Sequence, residues 1–145
     1  MNRLNRIILL IVIAIAASAI LPYQPPEPES GQPLSSDQRL RKAFNDLESD
    51  LQIEGSATVK KILPDDNKDV RHQRFLIQLS HGQTIMVAHN IDLANRISGL
   101  KVGDRIRFYG EYEWNNQGGV IHWTHRDPAN KHPHGWIEHK GLRYQ

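Results

Sequence analysis

Apolar and polar side chains alternate along five short stretches of the chain, which is the pattern of half-buried β-strands. Turn-forming residues separate the stretches, such as the acidic run that follows Pro64 and the pair His81-Gly82. We therefore predict five strands, which cover residues 56–63, 75–80, 83–89, 105–114 and a last stretch from 120 onward.

The last two predicted strands form a hairpin around residues 115–119, NNQGG, a run that tolerates positive φ. Before the turn, apolar residues alternate with arginine and glutamate. After it, β-favouring residues continue until Pro128 removes a backbone donor. Parity predicts that three aromatic side chains of this hairpin face the core: Tyr112, Trp114 and Trp123.

Helical spacing of apolar residues occurs twice. Between residues 37 and 51 they recur every three or four positions after a serine-rich start, which predicts an amphipathic helix packed on the core. A short second helix is predicted over residues 91–97, capped by Asn90 or Asp92 and ended by Gly99.

The predicted order is strand, strand, strand, helix, strand, strand. It is that of a mainly β fold, a small five-stranded OB-like Greek-key barrel, here with an added N-terminal helix and a short helix between strands 3 and 4. An SH3-like or other small open barrel is the alternative, because strand count alone does not fix topology.

The N-terminal residues have the composition of an export signal. Arg3 and Arg6 precede an uncharged run over residues 7–21, which contains a small-residue cleavage motif that ends at Ala19. The run is short for a spanning helix, which favours cleavage over retention as an anchor. We therefore expect a periplasmic or secreted protein, tethered to the inner membrane if the signal is not cut.

A proline-rich stretch follows this signal and is typical of an extended, solvated spacer. It separates the signal from the predicted folded part, which ends in a tail rich in histidine, glycine and aromatic residues. The predicted organisation is a signal peptide or N-terminal anchor, a linker and an OB-like domain, over residues 1–21, 22–34 and 35–145 respectively.

Composition narrows the chemistry of the exported part. The chain has no cysteine, so disulfides, thiolate nucleophiles and cysteine-ligated zinc are excluded. Removal of Arg3 and Arg6 with the signal leaves 16 of the 18 basic residues, which balance the 16 acidic residues. The exported part is therefore formally neutral when histidine is uncharged. Neutrality weakens any function that depends on bulk attraction to nucleic acid or anionic membrane.

Histidine is the one enriched reactive residue type, with eight in the chain and five of them after Ile121. Neutral imidazole is a ligand for zinc, copper or nickel, and a carboxylate such as Asp127 would complete a site with an open position for water. No established metal motif is present, so surface or structural histidines are the alternative. The candidate ligands for a transition metal such as zinc are His122, His125, His132 and His134.

His122 and His125 are three residues apart, so they point to opposite faces of a regular strand. A shared site requires a bulge near Thr124 or a strand that ends before His125. In that arrangement the two histidines would be ligands or proton carriers and Asp127 would orient them, which makes these three the candidate catalytic residues.

A second candidate group is basic. His72 and Arg74 lie where a loop enters the second strand, and loops of small barrels shape binding clefts. Arginines there would hold a carboxylate or phosphate in a bidentate fork. The alternative is that Arg74 pairs with Asp66 or Asp69 and only steadies the loop. The candidate ligand-binding residues are His72, Arg74, His89 and Arg126.

Residues 53–144 resemble a family of small exported bacterial proteins known only as domain of unknown function 3465. The resemblance rests on the strings PDDNKDVRHQRFLI, AHNIDLA, GDRIRFYGEYEWNNQGGVIHWTHRDP and HPHGWIEHKGLRY. It brings no activity with it. It implies that RHQRF, AHN and HWTHRDP are signature strings, which marks as positions to test His72, Arg74, His89, His122, His125, Arg126 and Asp127.

Three functions remain open on the sequence. The first is an exported binding module for a small anion, a nucleotide or a single-stranded oligonucleotide. The second is a histidine-dependent, metal-assisted hydrolase such as a phosphodiesterase or nuclease. The third is a structural envelope protein without a small ligand. The sequence predicts no partner protein, and it predicts membrane contact only through an uncleaved N-terminal segment.

Overall fold

The computed structural model describes residues 33–145. The predicted signal or anchor and nearly all of the predicted linker lie outside them. Within the described residues, no helix is both long and apolar enough to cross a membrane. The elements are α1 Ser36–Asn45, β1 Leu51–Ile62, β2 His72–Gln78, β3 Thr84–Asn90, β4 Arg105–Glu113, β5 Val120–His122, β6 Trp136–His139 and β7 Leu142–Tyr144.

Five strands close into a barrel, which confirms the predicted mainly β fold. The order β1-β2-β3-β5-β4 returns to β1, because β1 pairs with β4 as well as with β2. Residues 51–58 of β1 pair with β4, and residues 58–62 pair with β2, with a register shift between Val59 and Lys61 inside the second pairing. Such an irregularity bends a strand, which lets one strand serve both neighbours. β3 and β5 are parallel, whereas the other barrel pairs are antiparallel.

The barrel interior is filled by the alternating apolar residues that the sequence indicated. Burial alternates strictly along β2 and β3, and the inward residues Phe75, Ile77, Ile85 and Val87 are fully buried. β6 extends the edge of β4 next to β5, and β7 pairs with β6. The tail of the chain therefore continues the sheet as a hairpin.

The aromatic residues of the predicted β4–β5 hairpin divide between core and surface. Tyr112 is fully buried and Trp114 packs against the core. Trp123 is not a core residue, because β5 ends at His122 and Trp123 adopts a φ of 52° that turns the chain away from the strand path.

Helix α1 is shorter than predicted. It ends at Asn45, because Leu47 and Asp50 adopt positive φ values of 57° and 58° and the chain enters β1 at Leu51. A capping box between Ser35 and Gln38 begins the helix. Leu40 and Ala43 are fully buried, whereas Leu47, which the helical spacing assigned to the apolar stripe, is 64% exposed.

The predicted helix over residues 91–97 is wrong, since this segment begins with a turn over residues 91–93 and continues as irregular backbone. Asn90 caps only the first turn, through Oδ1 contacts to the backbone N–H groups of Asp92 and Leu93. Further along, Gln73 donates to the carbonyl of Ile97 and accepts from its N–H. Side chains of the barrel therefore take the backbone groups that a helix would use internally.

Gly55 of β1 provides a test of the packing. A Cβ at this position would lie 2.6 Å from Cζ of the buried Phe108 ring. We expect Gly55→Ala to lower the free energy of unfolding by about 1–3 kcal/mol, because overpacking forces a core ring to move. Urea denaturation measures this change. In Gly55→Ala/Phe108→Leu the loss should be smaller than the sum of the single losses. Additive losses would contradict the contact.

A histidine-lined cleft and a carboxylate cluster

A cleft of about 260 Å³ lies on the outer surface of β2, β3 and β5. Ala88 of β3 is the small residue of its lining, whereas His72 of β2 and His122 of β5 place larger rings there. The small side chain between the two rings leaves a hollow. The complete lining is Val70, His72, Ala88, Asn90, Leu93, His122, Trp123 and His125.

Two larger hollows, of about 480 and 500 Å³, lie beside α1 and β1. They are lined mainly by serine and arginine side chains, among them Ser36, Ser56 and Arg105. None of the site residues predicted from the sequence lines either hollow. The smaller cleft is therefore the one that gathers the predicted chemistry.

His122 and His125 both reach the cleft because β5 ends at His122 and the positive φ of Trp123 breaks the alternation of faces. His125 and His72 have similar hydrogen-bond partners. His125 is 4% exposed, and its Nδ1 lies 2.8 Å from the carbonyl of Arg126. His72 uses Nδ1 in the same way, 3.0 Å from the carbonyl of Val70. A ring nitrogen facing a carbonyl carries the proton, so both neutral rings keep Nε2 as an acceptor.

His122 faces two carboxylates that the sequence analysis had not singled out. Glu111 of β4 is paired with His122 of β5, and Glu113 lies two residues along the same face. His122 Nε2 is 3.3 Å from Glu111 Oε1 and 3.8 Å from Glu113 Oε1. In the sequence, these two glutamates are only polar residues that alternate with apolar ones along a predicted strand. Their proximity to His122 depends on the register of β4 and β5.

His132 joins this group from the loop that follows β5. Its Nε2 lies 2.7 Å from Glu111 Oε2, its Nδ1 lies 3.0 Å from the carbonyl of Pro133, and its ring stacks on Trp123 at 4.1 Å. Burial by itself would lower the pKa of His132, but the hydrogen bond to Glu111 and the contact with Pro133 outweigh it and raise the pKa. We call Glu111, Glu113, His122 and His132 the carboxylate–imidazole cluster.

Asp127 organises the loop that carries His132. Its Oδ1 accepts the N–H of Ala129, and its Oδ2 accepts the N–H groups of Lys131 and His132. These three backbone hydrogen bonds lower the pKa of Asp127. Its own N–H donates to Nδ1 of the exposed His134 at 3.0 Å. The structure thus employs Asp127 and His134 in shaping the loop and does not bring them into the cluster.

His89 is fully buried and lies in the interior behind the cleft. Its Nε2 donates to the carbonyl of Asn95 at 3.1 Å, so Nδ1 accepts from the hydroxyl of Thr124 at 2.9 Å. Burial lowers the pKa of His89 to about 4, with the charges of His125 and His72 acting in the same direction. Both ring nitrogens are used by the protein, which makes His89 a buried link between β3 and the loop.

Two arginines near the cleft are engaged with neighbouring protein groups. Arg74 donates from Nε to the carbonyl of Pro64 at 3.1 Å, and Arg71 pairs with Asp92 at 2.7 Å. Arg74 therefore steadies the β1–β2 loop through a carbonyl, where the sequence had suggested Asp66 or Asp69. Arg126 is exposed and follows His125 directly.

A sequence model of the family described as Protein of unknown function (DUF3465) matches residues 29–145. The match covers the whole described domain, including the cleft and the carboxylate–imidazole cluster. No curated protein matches the chain.

The burial of His89 predicts an acid-sensitive fold. Its pKa of about 4 is below the unfolded value of 6.5, so the unfolded chain binds the proton more tightly. Its contribution to stability is present above pH 6.5 and is lost as the pH falls towards 4. Between pH 6.5 and pH 4, we expect the free energy of unfolding of the wild type to fall by roughly 2–3 kcal/mol more than that of His89→Gln. Urea denaturation at each pH measures both.

The matched control for this prediction is His81→Gln, in the β2–β3 turn, which should keep the pH dependence of the wild type. Parallel pH profiles for the wild type and His89→Gln would contradict the assignment of the titrating group.

Proposed function

We propose that the described domain is an OB-like binding module in a chain that belongs to the family of proteins of unknown function DUF3465. Its histidine-lined cleft binds a small anionic ligand, best fitted by a single nucleotide, either free or within a single-stranded oligonucleotide. The module acts outside the cytoplasm, as the composition of the N-terminal residues indicates.

The strand pairing supports an OB-type barrel. The observations in its support are five strands in the order β1-β2-β3-β5-β4, closure of the barrel by β1 with β4, and the parallel pairing of β3 with β5. OB-type barrels bind oligonucleotides and oligosaccharides on the face of strands 2 and 3 and on the adjoining loops. The cleft lies on this face, next to the loop that contains Val70.

The observation that carries the proposal is the convergence of three histidines and a tryptophan on one concave surface. A volume of about 260 Å³ is slightly below the roughly 300–1,000 Å³ of drug-sized ligand sites, so it suits one small ligand. The apolar side chains of Val70, Leu93 and Trp123 suit a planar base. In the imidazolium form, His72 and His125 would donate from Nε2 to a phosphate oxygen.

Charge argues for a short ligand and against a long polyanion. Arg71 and Arg74 are engaged by the protein itself, which leaves the exposed Arg126 as the cation next to the cleft residue His125. A groove that follows a nucleic-acid backbone needs many phosphate contacts, and each contact adds to the salt dependence. We therefore expect weak salt dependence, equivalent to one or two phosphates.

The variant Ala88→Leu tests the cleft, because a larger side chain on β3 fills the hollow without removing a polar group. The probes are adenosine monophosphate and a pentathymidylate oligonucleotide, with binding followed by amide chemical shifts. We expect shifts at Ala88, His122 and His125 in the wild type and at least tenfold weaker binding in Ala88→Leu. His81→Ala, a histidine outside the cleft, is the control.

Two outcomes would overturn the proposal that this cleft binds the ligand. One is the absence of shifts with both probes, which would leave a structural envelope protein as the better reading. The other is equal affinity of the wild type and Ala88→Leu, which would place binding elsewhere on the surface.

A hydrolase of phosphate esters is the second candidate. The observation in its favour is the proximity of Glu111 Oε1 to His122 Nε2, 3.3 Å apart at the edge of the cleft, because carboxylate and imidazole are the groups that most often transfer protons in catalysis. Turnover of bis(p-nitrophenyl) phosphate that depends on His122 and Glu111 would support it. Binding of nucleotides without turnover would leave the binding module alone.

A further inference from the structure

The carboxylate–imidazole cluster has the spacing of a metal site. One donor atom from each of Glu111, Glu113 and His122 lies within 4.8 Å of the others. Ligands held about 2.1 Å from a tetrahedral ion lie about 3.4 Å from one another. The distances from His122 Nε2 to the two carboxylates, 3.3 and 3.8 Å, lie on either side of that value. Small side-chain rotations would therefore place three donors on one ion.

Hydrogen bonding within the cluster is incomplete. The His122 side chain is 34% exposed, but its Nε2 atom is covered and has no hydrogen-bond partner, because its approach to Glu111 lacks the geometry of a hydrogen bond. A buried ring nitrogen without a partner is costly, and such exceptions call for an explanation. A cation between Nε2 and the two carboxylates would satisfy all three groups at once.

The negative charge of the two glutamates also favours a bound cation. Glu111 and Glu113 carry like charges on one face of β4, with side chains 16% and 30% exposed. Among residues 33–145, the nitrogen groups within ion-pair distance of them are the imidazoles of the cluster, and no lysine or arginine lies that close. A divalent ion would neutralise the pair.

His132 lies beside this three-residue group without being one of the donors within 4.8 Å of one another. It would become a fourth ligand by losing the Nε2 proton that it shares with Glu111 and turning that nitrogen to the ion. Its Nδ1 faces the carbonyl of Pro133, and its stacking on Trp123 fixes the ring plane. Histidine ligands of metals usually donate their second ring N–H to a carbonyl or carboxylate, which sets the tautomer and the direction of the ligating nitrogen. Here that outer contact exists, and Nε2 points at Glu111, 2.7 Å away.

We propose that Glu111, Glu113, His122 and His132 bind one divalent first-row transition metal ion, with Zn²⁺ as the representative case. Two imidazole nitrogens and two carboxylate oxygens without sulfur form a donor set of the zinc, cobalt and nickel class. This proposal goes beyond the ligand cleft and does not depend on nucleotide binding, although His122 belongs to both.

The test is metal titration of the full chain, produced without a histidine tag and without any nucleotide. Zn²⁺ binding is followed by isothermal titration calorimetry, and Co²⁺ binding by its visible absorption, which reports a low-symmetry nitrogen and oxygen environment. We expect one ion per chain. His122→Ala and Glu111→Gln should each weaken binding at least tenfold, whereas His81→Ala should stay within about twofold of the wild type.

A third variant, Glu113→Gln, keeps the contact between Glu111 and His132 and therefore guards against misfolding as the cause of lost binding. It should also weaken Zn²⁺ binding at least tenfold while the circular dichroism spectrum of the metal-free protein stays unchanged. Absence of binding by the wild type, or equal binding by the wild type and His122→Ala, would overturn the site. So would an equal loss in His81→Ala.

Ala88→Leu separates this proposal from the proposed function. It fills the cleft but removes no donor of the cluster, so it should keep Zn²⁺ binding and lose nucleotide binding. Loss of Zn²⁺ binding in Ala88→Leu would contradict the four-residue site, whatever the result with nucleotides.

Discussion

The double pairing of β1 is the constraint on which the site depends. By pairing with β2 through one part and β4 through another, β1 closes the barrel and leaves one place for β5, between β3 and β4. β5 has only three residues, because β6 occupies the rest of the same edge of β4. This short strand sets His122 beside Glu111 on one side and near Ala88 on the other. Closure of the barrel thus creates the cleft and the cluster together.

The loop between β5 and β6 is the second determinant, and a carboxylate shapes it. The Asp127 carboxylate accepts hydrogen bonds from three backbone N–H groups, the last of them that of His132, and so folds the loop back over β4. Gly135 permits the close return, since a Cβ there would lie 1.8 Å from the carbonyl oxygen of Trp123. The carboxylate that sequence reasoning assigned to catalysis is used in folding, and the glutamates that it passed over are the ones near the histidines.

Much of the fold could be predicted because burial in a barrel imposes alternation. β2, β3 and β4 alternate along their whole lengths, and the sequence pattern located them. Segment 91–97 was mispredicted because local spacing does not reveal that Gln73, far away in sequence, takes the backbone groups of Ile97. Trp123 was misplaced because nothing in its neighbours signals the positive φ that ends β5.

The candidate site was less predictable, since it depends on register. His122, His125 and His132 were singled out by residue type, but Glu111 and Glu113 have the same local pattern as any solvated strand face. Only the pairing of Glu111 with His122 distinguishes them. The alternation of faces assigns a side chain to one side of a strand, whereas both strands must be placed before the donors of Glu111, Glu113 and His122 are seen to lie together.

His122 links the two proposed sites, and this sharing has a thermodynamic consequence. If a metal ion fixes the His122 ring while the same ring forms a wall of the cleft, occupancy of either site changes the affinity of the other by an equal factor. A metal at this edge would also place positive charge beside a cleft whose neighbouring arginines are largely engaged elsewhere. An anionic ligand and the metal would then reinforce each other, which would account for an acidic pair next to the proposed ligand cleft. Without the metal, the same two glutamates would repel that ligand.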